Sequence, residues 1–158
     1  MKRGSTLFLR LAVILMGLPV LAVSIYGVYY LANNPANPDY AHILYSIVIG
    51  MFLSVIPYFI ALFQALKLLN YIDRNEAFSN LSVKALQKIK YCAISISIIY
   101  IFVLPFVYVV AQLDDAPGLI IVGMAPIFGA MVIAVFAAVL QRLLQEAIRI
   151  KTENDLTV

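Results

Sequence analysis

Four long apolar runs dominate this chain of 158 residues and limit its fold more than any other feature. The hydrocarbon core of a bilayer is about 30 Å thick, so a helix that crosses it needs about 20 apolar residues. Runs of that length cover residues 7–31, 43–69, 91–111 and 119–140. Only 12% of the residues are charged, about half the share found in soluble domains. The sequence therefore predicts an all-α polytopic membrane protein, a single domain of four transmembrane helices with short loops.

The first run has the basic start of a signal peptide, and a small-residue cleavage site would fit after it. It continues for about 25 residues, however, whereas the apolar core of a signal peptide has about 7–15. We therefore expect this run to remain attached as the first span.

The basic residues are confined to one side of the predicted bundle. All 11 Lys and Arg residues lie at the amino end, in the segment between spans two and three with its flanks, or at the carboxyl end. The charged residues of the other two loops are all acidic, Asp39 in one loop and Asp114 and Asp115 in the other. Short loops rich in Lys and Arg stay in the cytoplasm. We predict a multi-pass protein of the cell membrane with both termini in the cytoplasm, its basic side against the lipid headgroups and no direct binding of nucleic acid.

The longest polar segment, "NYIDRNEAFSNLSVKALQKIK", covers residues 70–90 and predicts the tip of a cytoplasmic helical hairpin. Phe78 would lie near the tip, and the Ser79 hydroxyl would cap the second arm by accepting from the backbone N–H groups of the next turn. Val83 and Leu86 fall on one face of that arm and Lys84 on another. The interpretation as a docking surface for a cytoplasmic protein assigns partner binding to Phe78, Ser79, Lys84, Leu86, Lys88 and Lys90. The alternative is that these residues are the solvated, snorkelling ends of two spans.

A second cytoplasmic extension is predicted at the carboxyl end, where a helical tail covers residues 141–152. Its charged side places Arg142 four residues before Glu146, a spacing that brings the two side chains together.

The segment "NEAFSNLSVKALQKIKYCA", placed between spans two and three of a small four-span protein, resembles the bacterial membrane family catalogued as domain of unknown function 2975. Members are similar in size, are common in Gram-positive bacteria and are often encoded beside a small helix-turn-helix regulator. The resemblance implies a sensory or regulatory role and no catalytic residues. It also implies a structural signature formed by Phe78, Ser79, Leu86 and Ile89.

Each predicted span contains one proline, and each proline removes a backbone donor and frees the carbonyl four residues earlier. Helix kinks are therefore predicted at Pro19, Pro57, Pro105 and Pro126. Kinks at a shared level would open an intramembrane cavity towards the outer half, for a lipid-like or peptide ligand, lined by Tyr26, Ser54, Tyr58, Gln64, Tyr100 and Tyr108. The alternative is that neighbouring helices simply tolerate the prolines. Gln64 has a second interpretation, as a hydrogen-bonding contact between two helices.

The fourth span carries small residues four positions apart, Ala125 with Gly129 and Ala130 with Ala134. This spacing lets helix backbones approach closely, so it predicts a packing face.

No enzyme motif is present: the sequence lacks HExxH, GxSxG, Walker and GxGxxG patterns. Cys92 is the single cysteine, and no ionisable residue lies near the middle of a span. We therefore expect no enzyme, no cofactor and no metal. The first hypothesis is a sensory or regulatory membrane protein that signals to a cytoplasmic regulator through the basic segment. A small transporter or channel component and an immunity protein against a membrane-active peptide are the alternatives, and a homo-oligomer stays open.

Overall fold

A computed structural model describes residues 3–33 and 41–156, and these residues form four helices. The helices are α1 (Arg3–Asn33), α2 (Ala41–Asp73), α3 (Asn80–Leu113) and α4 (Gly118–Leu156). Each is long and apolar enough to cross a membrane, which confirms the predicted four-span, all-α fold. Asp39 of the first loop lies outside the described residues.

All four helices are longer than a bilayer requires. The shortest, α1, has 31 residues, and the longest, α4, has 39. At 1.5 Å per residue these lengths are about 46 and 58 Å, against about 30 Å of hydrocarbon. Helical segments therefore project beyond the membrane.

Each helix packs only against its neighbours in the sequence. The α3 helix makes the largest interfaces, with α2 on one side and α4 on the other, whereas α1 packs on α2 alone and less closely. Among the described residues, no Cα atom of α1 lies within 8 Å of one in α4. The four helices thus run up and down as an open arrangement rather than a closed bundle.

The three interfaces are close because each contains a glycine where the next helix crosses. At Gly50 in α2, an added Cβ atom would lie 2.2 Å from Cγ2 of Val103 in α3. Gly17 in α1 and Gly123 in α4 are also tight, since a Cβ atom at either would lie 3.2 Å from a leucine methyl group. In α4 the predicted small-residue face is only partly used: Ala130 is buried, but an added Cβ atom at Gly129 would meet nothing within 4 Å.

The turn after α2 is a Schellman motif, which pairs the last carbonyl groups of a helix. Asn75 has a φ of 59°, in the left-handed region that asparagine tolerates. The Glu76 N–H donates to the carbonyl of Tyr71 at 2.7 Å, and the Asn75 N–H donates to the carbonyl of Ile72 at 3.2 Å. The turn after α3 also has a left-handed residue, Asp115, whose φ is 52°, and there the Ala116 N–H donates to the carbonyl of Ala111 at 2.9 Å.

Ser79 occupies the N-cap position of α3, as predicted, but the predicted partner of its hydroxyl is wrong. The hydroxyl makes no hydrogen bond to the next turn and instead donates to the carbonyl of Glu76, before α3 begins. The fully buried hydroxyl of Ser82 donates to the same carbonyl at 3.2 Å. The two hydroxyls therefore tie the start of α3 to the turn that follows α2.

Candidate functional site

The two ends of the structure differ in charge, and we name them by it. The basic end holds the start of α1, the turn between α2 and α3, and the end of α4, whereas the acidic end holds the turn between α3 and α4 with Asp114 and Asp115. The orientation of these ends across the membrane stays a prediction.

A cavity of about 700 Å³, here called the apolar cleft, lies where α1 and α4 fail to meet. Its walls come from residues 19–30 of α1, 48–58 of α2, 96–100 of α3 and 126–133 of α4. These walls are almost entirely apolar, and the volume falls within the range of about 300–1,000 Å³ found for small-molecule sites. The cleft therefore has the size and surface of a binding site for an apolar ligand.

The structure brings four of the six predicted cavity residues together. Tyr26, Ser54, Tyr58 and Tyr100 line the apolar cleft. The prediction is wrong for the other two, Gln64 and Tyr108, as lining residues.

Gln64 is buried, with 6% exposure, nearer the basic end of α2. Tyr108 follows Tyr100 by eight residues, which turns it by about 80° round the helix, and its side chain is 52% exposed.

The hydroxyl groups of Ser54, Tyr58 and Tyr100 in the cleft wall are already paired within the protein. Ser54 is hydrogen bonded to the Tyr100 hydroxyl at 3.0 Å and to the carbonyl of Met51 at 2.6 Å. The Tyr58 hydroxyl donates to the carbonyl of Met16 in α1 at 2.7 Å. Because these groups satisfy one another, the cleft offers a ligand mainly apolar contact.

Pro19 and Pro126 lie in the walls of the cleft, whereas Pro57 and Pro105 do not. Because Pro19 has no N–H group, the carbonyl of Leu15 lacks its usual helical donor. The Tyr58 hydroxyl donates to the next carbonyl in α1, that of Met16. All four prolines lie inside continuous helices, and the predicted kinks stay a prediction.

The arms of the predicted hairpin divide into a buried and an exposed face. Phe78, in the turn, is 56% exposed, and Lys84 and Lys88 are also exposed. We call these three residues the basic hairpin face. Leu86 is only 7% exposed because it packs into the core beside Val83, so its assignment to partner binding is wrong.

Two further predicted docking residues have partners within the protein. The Lys90 Nζ atom lies 4.9 Å from the ring centroid of Tyr91, and Lys90 is half-buried. The hydroxyl of Ser79 is bound to the carbonyl of Glu76. Neither group extends freely towards a partner.

An ion pair that the sequence did not reveal joins α1 to the base of the hairpin. The Arg10 guanidinium donates to Oδ2 of Asp73 at 2.6 Å and also to the side-chain carbonyl of Asn70. Asp73 is the last residue of α2 before the turn. The helix that forms one wall of the cleft is therefore tied directly to the hairpin.

The predicted pairing of Arg142 with Glu146 in the tail is wrong. Glu146 is paired with Arg149, and Arg149 also donates to Glu153 at 2.9 Å. Hydrogen bonding to the Arg149 guanidinium holds the pKa of the Glu146 carboxyl below its usual value. Within residues 3–33 and 41–156, no cluster of three His, Cys, Asp or Glu residues is placed to hold a metal.

Comparison with known proteins decides the family. The profile of the family described as "Protein of unknown function (DUF2975)" matches residues 30–158. The chain belongs to this family. A relative, the "Uncharacterized membrane protein YoaS" of Bacillus subtilis (strain 168), is 55% identical over 160 residues, with 100% of both chains covered.

Membership confirms the resemblance drawn from the segment around Phe78 and agrees with the four apolar helices. No solved structure matches the chain. The role of a member of the family therefore has to be argued from the apolar cleft and the basic hairpin face.

Proposed function

We propose that the protein is a non-enzymatic membrane sensor that binds a lipid-like ligand in the apolar cleft and signals through the basic hairpin face to a cytoplasmic regulator. The observation that carries the proposal is the contact of Arg10 with Asp73 and Asn70. This contact connects α1, the helix most able to move when a ligand enters the cleft, to the hairpin segment that would meet a partner.

The helix that we expect to change position when a ligand binds is α1. Its backbone approaches only that of α2, with a close contact at Gly17 and a hydrogen bond from Tyr58, and in the described residues none of its Cα atoms lies within 8 Å of one in α4. A ligand that enters the cleft would lie against α1 and α4 together. It would change the position of α1 at the cost of few protein contacts, and Arg10 would transmit that change to Asp73.

The cleft favours an aliphatic ligand. Its lining residues include no Asp, Glu, Lys, Arg or His, and the hydroxyl groups of Ser54, Tyr58 and Tyr100 are paired. Binding in such a site is stabilised by burial of the ligand's apolar surface, and the site supplies no charged group to pair with a charge on the ligand. A proton-coupled carrier generally requires a titratable group at this depth, so the lining favours a receptor over a carrier.

The basic hairpin face supplies the output surface. Lys84 and Lys88 are exposed on the side of α3 opposite the buried Val83 and Leu86, and Phe78 is exposed in the turn that precedes α3. An exposed aromatic ring with two cations suits an acidic partner, since complementary charge raises the rate of association and aromatic residues anchor interfaces.

One experiment tests the coupling. A Phe78→Cys variant in a Cys92→Ser background is labelled with an environment-sensitive dye, and oleate is added to the purified protein in nonionic detergent. We expect a saturable change in emission that is lost when Gly129→Phe fills the cleft and reduced when Arg10→Gln removes the link. Val135→Phe, on an exposed face of α4 outside the cleft, is the matched control and should leave the change intact. An oleate response that survives Gly129→Phe would contradict the proposal.

A second experiment tests the output. Lysines 84, 88 and 90 are replaced together by Gln, and the proteins captured from native membranes are compared with those of the wild type. The control replaces three basic residues of the α4 tail instead, namely Arg142, Arg149 and Lys151. We expect a cytoplasmic protein to be lost only from the hairpin variant, and identical capture by both variants would refute the docking surface.

An immunity protein would use the same cleft for a membrane-active peptide. The two roles separate in the dye experiment, because a sensor responds at Phe78 when the ligand binds, whereas immunity requires only that the peptide be held.

A further inference from the structure

A second cavity, of about 540 Å³, lies between α1 and α2 at the basic end. Its walls are Thr6, Leu7, Arg10, Asn70, Asp73 and Arg74, so most of its lining is polar or charged. The sensor proposed above uses the Arg10–Asp73 contact but not the space beside it.

We propose that this space, the headgroup cavity, binds the phosphate of an anionic phospholipid. The proposal goes beyond the sensor and does not depend on it. It rests on the charge of the cavity, on the way Arg10 is held, and on the level of the cavity along α1.

The charge of the cavity is positive. Its walls include two arginines, Arg10 and Arg74, and one acid, Asp73. That carboxylate accepts from Arg10 through Oδ2, while its other oxygen, Oδ1, is buried and has no hydrogen-bond partner among the described residues. Asp73 therefore offsets one of the two cations, and one positive charge is left for a ligand.

Arg10 is held in place by contacts that leave some of its N–H donors unused. Both of its contacts to α2 use the same nitrogen, Nη2, while a guanidinium carries five N–H donors. Among the described residues, no carboxylate lies within 4.0 Å of the guanidinium of Arg74. Two arginines in the walls of one cavity suit a phosphate, because arginine binds phosphate oxygens through paired N–H groups.

The level of the cavity points to a lipid as the source of the phosphate. The apolar run of α1 begins at Leu7, which lines the cavity and is 59% exposed, and Arg10 lies about one turn further along the helix. A phosphate beside Arg10 would thus lie near the level where polar headgroups meet hydrocarbon, with the lipid's acyl chains along the apolar residues that follow Arg10 in α1. Basic pockets between transmembrane helices bind headgroups in this way. A lipid held there would also strengthen the weak contact between α1 and α2.

The test measures thermal unfolding of the full chain in nonionic detergent at constant ionic strength, with rising amounts of three probes. The probes are dihexanoyl phosphatidylglycerol, dihexanoyl phosphatidylcholine and inorganic phosphate. A ligand that binds the folded state raises the midpoint by an amount that grows with the logarithm of its concentration relative to its dissociation constant. We expect phosphatidylglycerol to stabilise the protein at concentrations about tenfold lower than phosphatidylcholine, for which the net charge gives no attraction.

Two variants distinguish lipid binding in the headgroup cavity from general attraction of an anionic lipid to a basic surface. Arg74→Gln should weaken binding of phosphatidylglycerol about tenfold, because a hydrogen bond to a charged group is lost. Arg142→Gln, in the exposed end of α4, removes the same charge from the same end of the protein outside the cavity and should leave the affinity unchanged. Equal weakening by both variants, equal affinity for the two lipids, or equal protection by inorganic phosphate would overturn the proposal.

Discussion

Replacing Gly50 by Ala should destabilise the fold through a single contact between α2 and α3. The added Cβ atom would lie 2.2 Å from Cγ2 of Val103. Carbon atoms in contact are about 3.5–4.0 Å apart, so one of the two helices or the valine must move by more than 1 Å. Val103 is buried and β-branched, and such a side chain has one strongly preferred rotamer in a helix. It cannot turn aside easily.

The size of the effect follows from two opposing terms. Overpacking of a well-filled core costs about 1–3 kcal/mol. Alanine recovers up to about 1 kcal/mol because it is a better helix former than glycine. The contact is short enough to place the first term near its upper limit, so we expect the free energy of unfolding to fall by about 2 kcal/mol.

The assay is unfolding in mixed micelles with rising SDS, followed by far-UV circular dichroism because the chain has no Trp. The matched control is Gly27→Ala in α1, where the added atom meets nothing within 4 Å and the variant should be neutral or slightly stabilised. In a Val103→Ala background the obstructing methyl groups are absent, so Gly50→Ala should change the free energy of unfolding little. The effects of Gly50→Ala in the two backgrounds should therefore differ by about 2 kcal/mol. The same loss of stability in both backgrounds would refute the packing argument.

The remaining predictions concern polar contacts of α1 and the turn after α2. Tyr58→Phe removes the hydrogen bond to the carbonyl of Met16 and should lower the free energy of unfolding in the same micelle assay by about 0.6–1.5 kcal/mol. Arg10→Gln breaks a partly exposed ion pair and should lower it by about 1 kcal/mol or less, with a smaller effect at high salt. Asn75→Val places a β-branched residue at a φ of 59° and should be destabilising by about 1 kcal/mol or more, whereas Asn75→Gly should be tolerated. An unchanged stability in any of the three destabilising variants would show that the contact or conformation concerned contributes nothing.

The features that the sequence predicted are those that depend on one helix at a time. The four spans follow from length and hydropathy. The burial of Val83 and Leu86 and the exposure of Lys84 and Lys88 follow from the period of a helix that leaves the membrane, where one face is polar.

The features that it missed depend on how two helices are turned towards each other. Within the bilayer every face of a helix is apolar, so hydropathy does not identify the face that packs. Spacing of small residues marked Gly129 as a packing position, yet the described glycine with the least room for an added Cβ atom is Gly50. The pairing of Arg10 with Asp73 joins residues 63 positions apart, and neither residue belongs to a pattern that would signal the other.

The candidate site shows the same division. The prediction placed hydroxyl groups of three helices in one cavity, and Tyr26, Ser54, Tyr58 and Tyr100 do line the apolar cleft. Tyr108 is turned by about 80° round α3 relative to Tyr100 and therefore does not line the cleft with it. The headgroup cavity was missed because its walls come from the beginning of α1 and the end of α2, which are far apart in the sequence.

The most direct test of the account is the side of the membrane on which the basic end lies, because a cytoplasmic partner can reach Lys84 and Lys88 only from within the cell. Single cysteines are introduced as Asn75→Cys at the basic end and Ala116→Cys at the acidic end, each in a Cys92→Ser background. Intact cells are then treated with a membrane-impermeant thiol reagent. The account predicts labelling at position 116 at once and at position 75 only after the cells are permeabilised. Labelling at position 75 in intact cells would contradict it.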